Sequence, residues 1–332
     1  MEFDKLQQAV FTLDKSQFND LALQVFQIQS RHCEVYQRYL SCLQVDASKI
    51  IHLEDIPYLP IEFFKQFEVK TNAFKEELVF ESSSTTGKGV SRHFVKSSAL
   101  YEQAFKASFD LAFGPHTNYC HLALLPSYLE RQNSSLVYQV NGFIEDTKHL
   151  GSSFYLHQVH YLVDHLKKNE AAEMPTLLWG VSFALLDFIE QFQFPLKHTI
   201  VLETGGMKGR RKEITREEMH SKLKQAFSID SIAGEYGMTE LLSQAYSTGG
   251  GVFKTPKTMK VFLRALDDPF DIWSEEDSRD QAGIINIIDL ANKDSIAFIA
   301  TDDLGRFTGN GGFEVRGRVD NSDIRGCSLL SV

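Results

Sequence analysis

Short apolar runs alternate with segments of helical periodicity through the middle of this 332-residue chain. Strand-like runs occupy residues 119–125, 176–179 and 198–202, and helix-like segments between them occupy residues 157–168 and 183–192. When strands and helices alternate in this way, the strands pair mainly in parallel and the helices pack on the faces of the sheet. The pattern therefore constrains the chain to an α/β fold.

The two ends of the chain carry other patterns. Residues 5–44 lack glycine and proline and repeat apolar side chains at helical intervals, which predicts two helices. Residues 259–266, 283–288 and 296–300 are strand-like runs separated by polar turns, which indicates a small antiparallel β subdomain. Because a single core rarely serves more than about 250–300 residues, we expect one large two-lobed unit or a domain with an appendage.

Composition argues against several classes of protein. The chain has 34 Lys and Arg against 44 Asp and Glu, a formal net charge of −10, and no long run of cations that would follow a nucleic-acid backbone. The four cysteines show no C-x-x-C spacing, so neither a zinc site nor a disulfide framework is indicated. The N-terminus lacks an apolar signal segment and no stretch approaches about 18 apolar residues, so we expect no membrane span and a cytoplasmic location.

The first candidate nucleotide-binding segment follows the strand-like run at residues 198–202. It opens with Glu203 and contains Gly205 and Gly206, which let the backbone turn and approach a flat ligand closely. A surface helix is predicted to start near Thr215, where the sequence T-R-E-E has the spacing of a capping box. Gly205 and Gly206 are therefore candidate cofactor-binding residues.

The second candidate segment follows a short predicted strand at residues 231–233. The aromatic face of Tyr236 suits stacking on a base, and Gly237 beside it adds flexibility. The hydroxyl of Thr239 suits donation to a phosphate oxygen, and the carboxylate of Glu240 suits Mg²⁺. An ordinary loop with a buried tyrosine fits the same residues equally well, because short motifs recur by chance.

A third candidate segment lies between the strand signals at residues 78–80 and 94–95. Hydroxyls and exposed backbone N–H groups donate to phosphate oxygens, glycine permits a concave turn, and a cation adds charge. The candidates for phosphate contact are Ser82, Ser83, Ser84, Thr85, Thr86, Gly87 and Lys88. The spacing is not that of a Walker A loop, and by composition the segment also suits a flexible Ser/Thr linker.

Asp303 follows the strand-like run at residues 296–300, in the sequence Thr-Asp-Asp-Leu-Gly. A carboxylate at such a corner can accept hydrogen bonds from both hydroxyls of a ribose. Asp303 is therefore a candidate for ribose binding, with an Asx-turn as the alternative.

Ser182 lies in Gly-Val-Ser-Phe-Ala, which imitates the nucleophile elbow of serine hydrolases. The histidines that follow it are His198 and His220, whereas the histidine partner of an elbow normally lies late in the chain. We therefore expect Ser182 to cap the helix that follows it.

Four separated segments together resemble the adenylate-forming superfamily that includes acyl- and aryl-CoA ligases. The hydroxyl and glycine loop of that superfamily is similar to residues 82–89, and its Tyr-Gly-x-Thr-Glu motif to residues 236–240. Its Thr-Gly-Asp motif is similar to residues 301–303, and its Gly-Arg-x-Asp motif to residues 317–320. The resemblance implies the α/β fold of the N-terminal domain of these enzymes.

The chain resembles more closely the acyl-protein synthetase (LuxE) family of bacterial bioluminescence, in residues 125–132, 203–209 and 236–246. This resemblance implies that ATP and Mg²⁺ activate a carboxylic acid, with a fatty acid as the first candidate, to an acyl-AMP. It further implies transfer of the acyl group to a cysteine of the protein itself near the C-terminus, where Cys327 stands. A reductase or carrier protein that accepts the acyl group is the implied partner.

The resemblance also implies roles for individual residues. Lys88 and Thr239 would act on the reacting phosphate, and Arg318 would join Asp303 on the ribose. Cys327 would be the acyl acceptor, because a thiolate captures a reactive mixed anhydride well at neutral pH. The alternative for Cys327 is a small apolar residue in a terminal strand.

The sequence departs from the superfamily at several places. Ser84 and Asp302 each stand where the superfamily motifs have glycine. The chain stops just past the Gly-Arg-x-Asp motif, so the C-terminal lid of CoA ligases and its catalytic lysine are expected to be absent. We expect an adenylate-forming domain over residues 1–316 and a hinge-like tail over residues 317–332. Two other functions stay open: an acid:CoA ligase of the phenylacetate type, and a non-catalytic adenylate-binding partner protein.

Overall fold

The structure is a computed structural model that describes residues 9–82, 89–127, 129–205, 214–277 and 279–319. The chain divides into two compact units. One unit combines Met1–Ala73 with Lys257–Val332, and we call it the discontinuous unit. The other is Phe74–Pro256, which we call the central unit. Within the described ranges, no helix is long and apolar enough to cross a membrane.

Helices and strands alternate through most of the described chain. The α-helices are α1 (Phe18–His32), α2 (Glu34–Cys42), α3 (Phe63–Gln66), α4 (Ser98–Phe113), α5 (Ser135–Asp146), α6 (Val159–Ala171), α7 (Ser182–Gln191) and α8 (Arg216–Phe227). The strands are β1 (Leu59–Pro60), β2 (Leu78–Glu81), β3 (Arg92–Val95), β4 (Cys120–Leu124), β5 (Ser153–Phe154), β6 (Thr176–Gly180), β7 (Thr199–Glu203), β8 (Ala233–Tyr236), β9 (Ala245–Ser247), β10 (Val252–Phe253), β11 (Met259–Arg264), β12 (Ile272–Trp273), β13 (Gly283–Asp289), β14 (Phe298–Phe307) and β15 (Phe313–Arg318).

The central unit is built on a sheet with the strand order β5-β4-β6-β7-β8-β9. Strands β5, β4, β6, β7 and β8 are parallel to their neighbours, and β9 is antiparallel to β8. Helices α5 to α8 each connect one parallel strand to the next along the chain. The predicted α/β class with mainly parallel pairing is therefore confirmed.

Aromatic side chains fill the core of the central unit. Trp179 on β6 stacks on Phe143 of α5 with ring centroids 5.7 Å apart, and Phe109 of α4 lies 5.9 Å from Trp179. His121 on β4 is fully buried here, accepts a hydrogen bond from the indole of Trp179 at its Nδ1, and donates from Nε2 to the carbonyl of His116. Burial lowers the pKa of His121 to about 4, so this histidine is a neutral structural residue.

A separate antiparallel hairpin of β2 and β3 lies in the same unit and pairs Leu78 with Val95 and Glu81 with Arg92. Helix α4 follows β3, and Ser97 caps it by accepting a hydrogen bond from the backbone N–H of Leu100. Serine is a preferred residue at this position, because its hydroxyl accepts from a backbone N–H that has no partner within the helix.

The discontinuous unit contains the antiparallel sheet that the sequence predicts, with the strand order β15-β14-β13-β11-β12. Strand β1 pairs in parallel with β14, through Leu59 opposite Ile299. Phe26 of α1 packs edge-on against Phe298 of β14, with ring centroids 5.8 Å apart. The sheet thus combines strands from both segments of the sequence.

Several local predictions differ from the structure. Strand β8 starts at Ala233 and continues to Tyr236, so the predicted strand at residues 231–233 is shifted and Tyr236 lies in the strand. Strand β14 continues to Phe307, so Asp303 lies inside a strand and not at a corner. Pairing with β13 and β15 carries the strand through the polar residues there, and this pairing outweighs their local preference for a turn.

Candidate active site

The candidate site of the central unit lies where β6, β7 and β8 end. Ser182 starts α7 just after β6, Glu203 is the last residue of β7, and Tyr236 is the last residue of β8. Since these strands are parallel neighbours, their carboxyl ends share one edge of the sheet. Open α/β sheets bind ligands at this edge, so it is the candidate ligand-binding edge of the central unit.

Glu203 is the buried charge at the centre of this edge, with only 3% of its surface exposed. The hydroxyl of Ser182 donates to Glu203 Oε1 at 2.8 Å. Arg216 Nε and His220 Nε2, both from α8, lie 3.8 Å and 4.0 Å from Glu203 Oε2. Burial opposes ionisation, but His220, Arg216 and Ser182 together hold the pKa of Glu203 below its usual range. Glu203 is therefore a carboxylate that joins β7 to the starts of α7 and α8.

The geometry around Ser182 supports neither the nucleophile elbow nor the helix cap. In a serine hydrolase, a histidine lies between the serine and the acid and accepts the serine proton. Here the hydroxyl of Ser182 donates directly to Glu203, so the acid occupies the place of that histidine. The predicted capping role is also wrong, because Val181 is the N-cap and Ser182 is the first helical residue. Ser182 serves as a partner of the buried carboxylate.

The glycine segment after β7 begins with a left-handed residue. Gly205 has φ of +57°, and a Cβ built on it would have no heavy atom within 4 Å. The glycine is thus needed for its backbone conformation, and the space beside it is open. The hydroxyl oxygen of Thr204, just before it, is buried with no hydrogen-bond partner among the residues that the structure describes. Gly206, the other predicted glycine, lies outside the described residues.

The predicted base-binding residue Tyr236 is only 8% exposed, and its ring lies 6.0 Å from that of Phe253. After it the chain turns, and the backbone N–H of Leu241 donates to the carbonyl of Met238 at 3.1 Å. Thr239 and Glu240 lie in this turn, and Glu240 is 4% exposed. The segment is therefore ordered and largely buried, as a pre-formed binding edge would be.

Glu235 places its carboxyl group against the backbone of Gly237. A Cβ at Gly237 would lie 2.5 Å from Glu235 Oε1 and 3.1 Å from Gln244 Cγ, so a larger residue there would displace the end of the Glu235 side chain. Burial, reinforced by the negative charge of Glu203, raises the pKa of Glu235 to about 8. At neutral pH Glu235 is thus mainly protonated and Glu203 ionised, so the two carboxyl groups of this edge have opposite protonation states.

Two hydrogen bonds join the end of β2 to the start of β3, on either side of the predicted phosphate loop. The backbone N–H of Ser82 donates to the carbonyl of Ser91, and the backbone N–H of Ser91 donates to Ser82 Oγ, both at 3.0 Å. The remaining predicted phosphate contacts, Ser83, Ser84, Thr85, Thr86, Gly87 and Lys88, lie outside the described residues.

One hydrogen bond connects this hairpin to the turn after β8. His93 on β3 is 1% exposed, and its Nδ1 lies 2.9 Å from the carbonyl oxygen of Thr239. A carbonyl only accepts, so Nδ1 carries the proton and donates. The hairpin that carries the predicted phosphate loop and the turn that carries Thr239 and Glu240 are therefore held together.

The predicted ribose residues lie in the discontinuous unit and contact each other. Asp303 on β14 is paired across the sheet with Arg318 on β15, and Arg318 Nε donates to Asp303 Oδ1 at 3.0 Å. Asp303 is 7% exposed, whereas the side chain of Arg318 is 68% exposed. Burial and nearby Glu62 raise the pKa of Asp302, against the charges of Arg318 and Arg264. The residue that replaces the motif glycine therefore adds a second carboxyl group beside Asp303.

Within the described residues, no group of three or more His, Cys, Asp and Glu side chains is placed to hold a metal ion. Mg²⁺ usually binds proteins through one or two carboxylates and takes its other ligands from water and substrate phosphates. The predicted role of Glu240 is therefore compatible with this arrangement. Cys327, the predicted acyl acceptor, and the whole segment 320–332 lie outside the described residues.

Three residues of the site carried no prediction from sequence: Glu203, Glu235 and His93. The available signal for Glu203 was its position as an acid directly after a strand, at the binding edge of a parallel sheet. Glu235 had a weaker signal, because an acid beside a predicted loop is usually solvated. His93 had no signal, since a single histidine in a strand says nothing about a partner far along the chain.

Comparison with known proteins adds the fold family. No protein-family model matches the sequence, and no curated protein sequence matches it significantly. Among solved structures, 2-hydroxyisobutyryl-CoA ligase in its postadenylation state, in complex with 2-HIB-AMP, superposes with a TM-score of 0.63 and 11% identity, covering 92% of this chain and 68% of that one. An open conformation of the same ligase, in complex with 2-HIB-AMP and CoA, gives 0.58 and 12% identity, covering 92% and 71%.

A long-chain-fatty-acid-CoA ligase from Archaeoglobus fulgidus is also similar, with a TM-score of 0.50 and 13% identity, covering 73% of this chain and 51% of that one. The chain therefore spans between 51% and 71% of the length of these enzymes. At such identities the similarity concerns the fold alone. That fold is the α/β fold of the N-terminal domain of the adenylate-forming enzymes, which the sequence predicts.

Proposed function

We propose that this chain, which has the fold of the N-terminal domain of adenylate-forming acyl-CoA synthetase-like enzymes, is an ATP-dependent ligase. It activates a carboxylic acid, with a fatty acid as the first candidate, and transfers the acyl group to a thiol. The observation that carries this proposal is the hydrogen bond between His93 and the carbonyl of Thr239. It joins the β2–β3 hairpin, from which one predicted nucleotide segment extends, to the turn that contains another. A chance match of unrelated short motifs would give no reason for these two elements to lie in contact.

The described side chains suit a nucleotide at the carboxyl edge of the central sheet. Gly205 leaves open space beside a left-handed backbone, and the buried hydroxyl of Thr204 lacks a protein partner among the described residues, so a bound ligand would satisfy it. Tyr236 would contact the base, and Ser82 with residues 83–88 the phosphates. These roles, and those of Asp303 and Arg318 on the ribose, are part of the proposal.

The reaction has two steps. The substrate carboxylate attacks the α-phosphorus of ATP, the bond to the pyrophosphate oxygen breaks, and acyl-AMP and pyrophosphate form. A thiolate then attacks the acyl carbon and AMP leaves, while the thiol proton passes to solvent. Glu240 would hold Mg²⁺, which neutralises charge on the phosphates. Lys88 and the hydroxyl of Thr239 would stabilise the charge that develops at the attacked phosphorus.

Cys327 is the proposed acyl acceptor, by resemblance to the acyl-protein synthetase family. The described cysteines are less suited to this role. Cys33 and Cys120 are buried, and burial raises the pKa of Cys33 to about 11, which keeps it a thiol at neutral pH. Cys42 is exposed but lies at the end of α2, in the discontinuous unit. It therefore provides a matched control for Cys327.

The test combines pyrophosphate release with intact-protein mass after incubation with ATP, Mg²⁺ and a panel of fatty and aryl acids. We expect an ATP-dependent, hydroxylamine-sensitive acyl adduct that is lost in Cys327→Ser and kept in Cys42→Ser. An adduct that persists in Cys327→Ser would refute the assignment of the acceptor. Turnover only with added CoA would indicate an acid:CoA ligase, and nucleotide binding without pyrophosphate release would indicate a non-catalytic adenylate-binding protein.

A further inference from the structure

His93 is a buried histidine of the central unit that takes no part in the proposed reaction. It lies in the middle of β3, directly opposite Phe80 of β2, and is 1% exposed. A buried imidazole needs hydrogen-bond partners, because leaving its polar atoms unpaired would cost free energy. Its Nδ1 has a main-chain partner, the carbonyl oxygen of Thr239.

The hydrogen bond to the carbonyl of Thr239 constrains the backbone of the turn. Thr239 lies between Met238 and Leu241, whose backbone atoms close the turn at 3.1 Å. A donor fixed to the carbonyl of Thr239 therefore fixes the orientation of the peptide plane that leads into Glu240. Because the peptide is planar, the same bond also constrains the backbone N–H of Glu240, which lies in that plane.

The same turn is fixed at its two ends by other contacts. Tyr236 pairs with Ala245 across β8 and β9, and the backbone N–H of Gln244 donates to Ser108 Oγ of α4 at 3.4 Å. Between these anchor points, the bond from His93 holds the central residue of the turn. Removing it takes away the contact that joins the middle of the turn to the β2–β3 hairpin through the carbonyl of Thr239.

We propose that His93 is a positioning residue, which donates from Nδ1 to the carbonyl of Thr239 and so pre-orients the turn that presents Thr239 and Glu240 to the nucleotide phosphates and Mg²⁺. The proposal rests on the proposed function for its ligand, but the ordering of the turn by His93 does not depend on that function. Pre-orientation of a binding group strengthens binding because the turn loses less freedom when the ligand arrives.

The experiment uses the chemical difference between the two imidazole nitrogens. In His93→Asn the side-chain amide nitrogen lies close to the place of Nδ1, whereas in His93→Gln it lies closer to the place of Nε2. His93→Phe keeps the ring volume and removes both donors. His160→Phe is the matched control, since His160 is an exposed histidine on α6 of the same unit.

The first readout is hydrogen–deuterium exchange of residues 236–244 in the full chain without ligand. We expect exchange to be about tenfold faster in His93→Phe and His93→Gln, because one net hydrogen bond is lost, and close to wild type in His93→Asn and His160→Phe. Unchanged exchange in His93→Phe, or equal effects of Asn and Gln, would refute the positioning role.

The second readout is the KM for MgATP in acid-dependent pyrophosphate release. We expect it to rise about tenfold in His93→Phe and to recover in His93→Asn, while the KM for the acid stays unchanged. A rise in both KM values would indicate general damage to the site and would contradict the proposal. If the wild-type chain released no pyrophosphate with any acid, the proposed function would fail, and the exchange measurement would still decide the role of His93 in the turn.

Discussion

Replacing Glu235 by Gln should make the central unit less sensitive to alkaline pH. The carboxyl group of Glu235 lies beside Gly237, and desolvation, with the charge of Glu203, raises its pKa from 4.5 to about 8. Between these two values the folded state keeps a proton that the unfolded state has released, so stability is highest below the unfolded pKa and falls as pH rises towards the folded pKa. Glutamine keeps the shape of the side chain and removes this titration.

The size of the effect follows from the pKa difference. A pKa raised from 4.5 to about 8 corresponds to about 5 kcal/mol of lost stability once both states are ionised. Between about pH 5 and about pH 9, linkage gives a decrease of about 4 kcal/mol in the free energy of unfolding of the wild-type protein. In Glu235→Gln this contribution should vanish, so the variant should be the more stable form at the alkaline end.

Fluorescence can follow the central unit selectively, because the chain has 2 tryptophans and only Trp179 belongs to that unit. Urea unfolding would therefore be measured on a Trp273→Phe background at several pH values. Glu173→Gln, which changes an exposed carboxylate of the same unit, is the control and should follow the parent. Parallel pH profiles for the parent and Glu235→Gln would refute the reasoning, because they would mean that burial of Glu235 does not disfavour its ionised form.

Further predictions concern neighbouring and distant residues. Glu203→Gln removes a negative charge that helps to raise the pKa of Glu235, so the pKa of Glu235 should fall towards its ordinary value, and the alkaline loss of stability in the same urea assay should be smaller and should end at lower pH; a profile unchanged from the parent would contradict this coupling. Gln29→Ala should lower the free energy of unfolding by about 2–4 kcal/mol, because it leaves the buried backbone groups that the Gln29 amide contacts without a partner. The control Gln24→Ala, on the exposed side of α1, should change the free energy of unfolding by less than about 0.5 kcal/mol. Gly205→Ala should cost about 1 kcal/mol of stability through its positive φ and should weaken nucleotide binding in calorimetry, and unaltered binding would argue against the proposed contact.

The sequence predicted the parallel half of the fold because its signals are local. Apolar runs such as residues 176–179 correspond to β6, and the capping box at Thr215 does cap α8, by accepting from the backbone N–H of Glu218. Both depend on residues close in the chain. The strand position of Asp303 was not predictable in this way, because β14 is held there by pairing with β13 and β15.

The motif residues of the candidate site could be picked out from the sequence, but the protonation states of its carboxyl groups could not. Tyr236 and Glu240 stand in a recognisable motif, which begins at the last residue of β8 and continues into the turn after it. The opposite protonation of Glu203 and Glu235 depends on burial, on partners of Glu203 from α7 and α8, and on the charge of Glu203 near Glu235, which no local pattern records. Likewise, the bond from His93 to Thr239 joins residues 146 positions apart.

The two units should differ in when they can form during synthesis. The central unit is one continuous segment, Phe74–Pro256, so all its strands are available once that segment has left the ribosome. The discontinuous unit needs Gln29 of α1 to accept the backbone N–H of Ala297, 268 residues later. Helix α1 must therefore wait with its apolar face unpaired until the second segment arrives, and chaperone binding to the nascent chain should concentrate on this helix.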